Sequence, residues 1–138
     1  MGRQALLRVV RLAAIASGLG MAIFLVSWPV ADDLFRMVFG EGFALAGSLF
    51  KVLCLMLVFA LANGVLGQAV FALGLDSFYA WAATAAAFFN VAGNLLLMPT
   101  YGVWAAAWMT VATELVLATG LLTALFGAWR TRRHGGST

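Results

Sequence analysis

The sequence predicts an all-α, polytopic membrane protein: four transmembrane helices in antiparallel hairpins, with a short interfacial helix between the first two. Three observations predict it. Of the 138 residues, 64% are hydrophobic and 9% charged, against roughly 45–50% and about 25% in soluble domains. So few charges cannot cover a water-facing surface, and the mean hydropathy is +1.04. The apolar residues form runs long enough for a bilayer core, which takes about 20 helical residues. The basic residues gather at the two ends, as Arg3, Arg8, Arg11 and Arg130, Arg132, Arg133. The same composition excludes intrinsic disorder, which needs low hydrophobicity and high charge.

Residues 1–9 read as a basic N-terminus. The first span covers residues 10–30, with an uncharged run from Leu12 to Val30. A basic start before an apolar run also suits a signal peptide. This run continues to Trp28-Pro29 without a small-x-small site, which favours an uncleaved span. The connection from Ala31 to Gly47 carries Asp32, Asp33, Arg36 and Glu41 among Leu34, Phe35, Met37, Val38, Phe39 and Phe43. Asp32 or Asp33 can cap a helix N-terminus, and the apolar residues suit a short helix in the membrane interface.

The second span covers residues 46–73. Within it Ala60, Gly64 and Gln68 are four apart and share a face, small enough at Ala60 and Gly64 for close helix contact. The Gly18–Gly20 and Gly64–Gly67 pairs read likewise. A longer apolar run from Ser77 to Trp129 contains one charge, Glu114. It exceeds one span, and Pro99-Thr100-Tyr101-Gly102 is its natural break, because proline disfavours a continuing helix and glycine permits a turn. Spans of 77–98 and 102–128 follow, with Pro99, Tyr101 and Gly102 as the structural turn. Residues 129–138 read as a basic, solvated tail.

Four spans put both termini on one side. Six arginines there, against Arg36 and Lys51 opposite, make that side cytoplasmic. The pI of about 9.8 then reflects membrane topology. No basic run with interleaved aromatics offers a stacking platform for bases, so no nucleic-acid partner is expected.

Candidate chemistry is confined to a few polar residues within the spans. Glu114 lies near mid-bilayer, where a carboxylate costs several kcal/mol unless protonated, paired or hydrated. It reads as a proton or cation site, or as a neutral acid bonded to a neighbouring helix. Thr110, one turn earlier, can share its interaction. Asn90 and Asn94 share a face of the third span, with Trp104 and Thr110 at the facing depth of the fourth. Asn63 and Gln68 place two amides in the second. Interhelical hydrogen bonding is the commoner role of such groups; contact with a substrate pathway is the other. Trp28, Trp81 and Trp129 fall near span ends, as an interfacial aromatic belt does. No serine has a histidine or lysine placed as a base, and no glycine-rich phosphate loop is present. One Cys and one His are too few for a Cys/His zinc site or an internal disulfide. The expectation is a non-enzyme with no metal and no cofactor.

The segment from Asn90 to Glu114, with Asn94, the Pro99-Thr-Tyr101-Gly102 turn and the small run Ala105–Ala107, resembles the C-terminal region of polysaccharide-biosynthesis flippases. These belong to the multidrug/oligosaccharidyl-lipid/polysaccharide exporter superfamily. The stretch Phe35-Arg-Met-Val-Phe39-Gly40-Glu41-Gly-Phe43 resembles their extracytoplasmic Phe-Gly-x-x-Phe segment. Together the resemblance covers roughly residues 10–127. It implies a multi-pass protein of the bacterial inner membrane that moves polyprenyl-pyrophosphate-linked oligosaccharide by alternating access. It implies a fold of about twelve to fourteen helices in two lobes, of which this chain supplies the end of the second. Its partners would be the bilayer, the lipid-linked oligosaccharide and the missing N-terminal helices or a partner membrane chain. The chain then reads as a fragment, a truncated gene product or one part of a split protein. Two other readings stand beside it: a small four-helix exporter or polyprenyl-sugar translocation subunit, and a non-transporting membrane subunit.

Overall fold

The computed structural model describes residues 3–134. They form α1 (Arg3–Phe39), a single 3-10 turn (Glu41–Phe43), α2 (Ala44–Ala72), α3 (Asp76–Tyr101) and α4 (Val103–His134). All four α-helices are long and apolar enough to cross a membrane. A multi-pass, all-α membrane protein is therefore the architecture.

The helices do not stand in chain order. α1 lies against α2, α2 against α4, and α4 against α3; α3 barely meets α2. The order in space is α1, α2, α4, α3. Close approaches fix the directions. A Cβ at Gly20 would lie 2.6 Å from the Leu57 carbonyl oxygen, and one at Gly47 would lie 2.8 Å from Asp32 Cα, so α1 and α2 run antiparallel. Val52 packs near Ala107 and Val111, while Leu66 and Val70 pack with Leu121 and Leu125, so α2 and α4 run parallel. Gly93 sits under the Met109 thioether and Gly120 near Ala82, so α3 and α4 run antiparallel. The main core joins Leu6 and Ala13 of α1, Ala62, Leu66 and Val70 of α2, and Leu121 and Leu125 of α4. A smaller apolar cluster around Val52 lies nearer the other end.

Four boundaries differ from the sequence expectations, the first being that α1 starts at Arg3, within the expected basic N-terminus, rather than at residue 10. The 31–47 connection does not hold a separate interfacial helix: α1 runs through Pro29 to Phe39. Proline deletes one donor, but its fixed φ suits a helix. The turns beyond it are held by packing, with Ala31 1% exposed and Asp32 against Gly47. Asp32 and Asp33 therefore sit inside α1 rather than capping a helix. The chain reverses at Gly40, whose φ of 93° is glycine territory. An exposed Arg36–Glu41 pair at 3.6 Å spans that reversal.

The break after the third span falls at Gly102 rather than Pro99, which lies inside α3. Gly102 adopts φ 57°, ψ −142°, and its N–H donates to the Met98 carbonyl at 2.8 Å. That backbone state is almost closed to residues with a Cβ. Space around Gly102 is open, so strain alone sets the effect of a substitution. Gly102→Ala is expected to lower stability by about 1–3 kcal/mol, read as a drop in the unfolding midpoint in mixed micelles. An unchanged midpoint would mean that the turn relaxes freely.

The basic tail is helical as far as His134, because α4 continues through Trp129 and Arg130. Residues 135–138 and residues 1–2 lie outside the described part of the chain. The small-residue face also differs. Gly20 meets backbone and Gly67 meets the Tyr79 ring, but Gly18 and Gly64 have nothing within 4 Å. The Ala60–Gly64–Gln68 face thus turns away from the bundle, and the packed face of α2 is Ala62, Asn63, Leu66, Gly67 and Val70.

Candidate functional site

The polar side chains inside the bundle form one ladder across three helices. Asn63 is 5% exposed and lies between the two apolar clusters. Its Nδ2 donates to the Glu114 side chain (Oε2, 2.7 Å) and to the Glu114 main-chain carbonyl (2.8 Å). Both amide hydrogens are spent on one residue of α4. The carbonyl bond makes Asn63 a bridge between helix backbones, whatever the charge of the carboxyl. About 16 Å of helix separates Glu114 from the start of α4 at 1.5 Å per residue, which puts the pair deep in the bilayer.

One residue along α4, Thr113 faces the other way. It accepts a hydrogen bond from Asn90 Nδ2 at 2.9 Å and donates to the Met109 carbonyl at 2.7 Å. Asn90 Oδ1 in turn accepts from Asn94 Nδ2 at 3.0 Å. The expectation that Asn90 and Asn94 face α4 at Trp104 and Thr110 is thus one turn off. Thr110 donates to the Ala106 carbonyl of its own helix at 2.9 Å. Such an i−4 bond satisfies the hydroxyl locally and leaves Glu114 to Asn63.

Five of the six candidates, Asn63, Asn90, Asn94, Thr110 and Glu114, lie on or beside this ladder. Gln68 does not, since it points away from the bundle with the exposed face of α2. Thr113, adjacent in sequence to Glu114, is the link that candidate list lacks. Only the direction of each α4 residue, which helix packing decides, distinguishes it from Thr110. Pro99, Tyr101 and Gly102 lie away from the ladder, and all three are exposed.

Two acceptors in the ladder, Asn63 Oδ1 and Asn94 Oδ1, are buried and accept no hydrogen bond among the described residues. An unmatched buried acceptor costs about 1–3 kcal/mol. With the Glu114 carboxyl beside the Asn63 amide, the local donor set is rich in oxygen acceptors. Chemically it suits a proton or a small hard cation. No cluster of three or more His, Cys, Asp or Glu is found among the described residues.

A second polar feature stands at the Gly102 end. Lys51 of α2 donates to Asp32 Oδ2 at 2.6 Å, and Ser48 donates to Asp32 Oδ1 at 3.2 Å. The Lys51 ammonium also lies 5.4 Å from the centre of the Trp28 ring. The sequence places Lys51 only as a topology charge. Its pairing depends on α1 continuing as helix through Asp32, which the run of charges in 31–47 conceals.

Comparison with protein-family models, with curated proteins and with solved structures finds no match to this chain.

Proposed function

We propose that the chain is the C-terminal part of a flippase for polyprenyl-pyrophosphate-linked oligosaccharide in the bacterial inner membrane. Both termini would be cytoplasmic, and the Gly40 and Gly102 turns extracytoplasmic. The observation that carries the reading is the Asn63–Glu114 pair with its unmatched acceptor. A carboxyl at this depth is costly, and here it is set in a row of amides joining α2, α4 and α3. Alternating-access carriers place coupling sites near mid-membrane, between helices that move against each other. The resemblance of residues 35–43 and 90–114 to the flippase segments supplies the substrate class. The six terminal arginines support the orientation through the positive-inside rule.

In this reading Glu114 exchanges a proton or cation as the complete carrier rocks, and Asn63 holds its carboxyl in place. The sugar–pyrophosphate head crosses in a polar cavity completed by further helices, with the lipid chain left in the bilayer.

The test is Glu114→Gln in the native host, with the amount of lipid-linked oligosaccharide on the outer face of the inner membrane as the readout. The amide keeps an acceptor for Asn63 but cannot titrate. The expected result is a loss of about tenfold or more, the general size of a proton-transfer contribution, with unchanged protein level. Unchanged outer-face oligosaccharide would overturn the coupling role and leave a membrane subunit whose polar ladder serves packing alone.

A further inference from the structure

We propose that the arginine-rich end of the bundle, centred on Arg8 and Arg11 of α1, binds an anionic glycerophospholipid of the adjoining leaflet, guanidinium groups on phosphate. This does not rest on the flippase reading.

Charge is divided unevenly between the two ends. Arg3, Arg8, Arg11, Arg130, Arg132 and Arg133 share one end with a single acid, Asp76. At the other end Asp32, Asp33 and Glu41 outnumber Arg36 and Lys51. Both ion pairs among the described residues, Arg36–Glu41 and Lys51–Asp32, are at that other end. Arg8, Arg11 and Arg130 are exposed, and none of them pairs with a carboxylate among the described residues. Asp76 opens α3, where the positive start of its own helix offsets its charge.

The fold gathers these arginines. Leu6 and Ala13 of α1 pack in one cluster with Leu121 and Leu125 of α4, so the start of α1 and the end of α4 stand together. Arg8 and Arg11 are three residues apart and are neighbours on one helix face, about 5–6 Å apart at Cβ. Like charges so placed repel each other. A bound anion relieves that repulsion.

Their depth identifies the anion. Gly20 meets Leu57, near the middle of α2. At 1.5 Å per residue, Arg11 lies about 14 Å along α1 from Gly20, and Arg8 about 18 Å. Half of the hydrocarbon core is about 15 Å. The guanidinium groups are thus at the plane of lipid phosphates, with their methylene stems against the acyl boundary. A guanidinium fork matches two phosphate oxygens at once. Phosphatidylcholine offers the same phosphate but adds an ammonium. The patch repels that ammonium, and residues 3–31 of α1 hold no carboxylate to receive it. Phosphatidylglycerol brings the phosphate alone.

The experiment uses the full chain in neutral detergent micelles with equal amounts of phosphatidylglycerol and phosphatidylcholine, and counts retained lipids by native mass spectrometry. Phosphatidylglycerol is expected to be retained about twentyfold more strongly, from about fivefold for each of Arg8 and Arg11. The double variant Arg8→Gln/Arg11→Gln is expected to bring the ratio within about twofold of one. Arg36→Gln, at the other end, is expected to leave it unchanged. Equal retention of the two lipids by the wild type would overturn the proposal, and that comparison decides the matter even if the double variant folds poorly. A double variant that keeps the wild-type ratio would overturn it too, as would an equal loss in Arg36→Gln, since the preference would then follow total charge. Displacement of phosphatidylglycerol by inorganic phosphate at the same concentration would also overturn it, because the ligand would then be a soluble anion.

Discussion

Gly20→Val is expected to drive α1 away from α2 and to lower stability by about 3 kcal/mol, the upper end of overpacking costs. The new side chain has nowhere to go. Already at Cβ it would be 2.6 Å from the Leu57 carbonyl oxygen and 2.7 Å from the Val58 nitrogen. These are backbone atoms of a helix, which cannot rotate aside as a flexible side chain would. One turn away, Ser17 Oγ donates to the Val58 carbonyl at 2.9 Å, and that bond would be lost with the contact. Gly18→Val is the internal control, because nothing lies within 4 Å of its position. It should cost a few tenths of a kcal/mol at most. Reversible unfolding of the full chain in mixed micelles checks both, and equal midpoints for the two variants would mean that α1 does not rest on α2 at Gly20.

The second large effect is expected at the Asn63–Glu114 bridge. Asn63→Leu removes both donors from Glu114 and leaves its carboxyl among apolar side chains, at about 2 kcal/mol. Glu114→Leu removes the carboxyl but keeps its carbonyl as a partner for Asn63, so it should cost less. The pair belongs in a double-mutant cycle, where the coupling energy should fall near ~1 kcal/mol, within the range found for polar pairs in membrane bundles. Additive effects would mean that the two side chains do not meet. Glu114→Gln should cost under about 1 kcal/mol, since an amide oxygen still accepts from Asn63. The variant thus separates function from folding: a well-folded Glu114→Gln chain that has lost transport places the defect in charge or proton exchange.

That the chain holds four long apolar helices was legible in the sequence, because the bilayer imposes a length that composition reveals directly. Glu114 was legible for the same reason: a lone charge in an apolar run is conspicuous. What the sequence conceals is which helices touch. Short turns at Gly74 and Gly102 make α3 the chain neighbour of both α2 and α4, yet the polar ladder and the Gly93–Met109 contact bring it to α4. Membrane helices are apolar on every side, so no hydrophobic stripe marks the packed face. That is why Ala60–Gly64–Gln68 reads as a contact face in sequence and is open in the structure. Pro99 misleads in a similar way. Proline disfavours but does not forbid the helical turn around it, and the chain turns three residues later, where Gly102 permits a backbone that Pro99 does not.

The order of the helices in space bears on how the chain is made. α4 supplies the partners of Asn63 and Asn90, yet it is synthesised after both α2 and α3. On insertion these two helices enter the membrane carrying amides whose hydrogen-bonding sites do not yet exist. In a hydrocarbon environment such groups seek protein or water rather than lipid. α2 and α3 should therefore linger beside the insertion machinery until α4 arrives and closes the ladder. α4 acts as the keystone of biogenesis: before it is in place, the nascent bundle has an α1–α2 pair and a third helix with no lasting address.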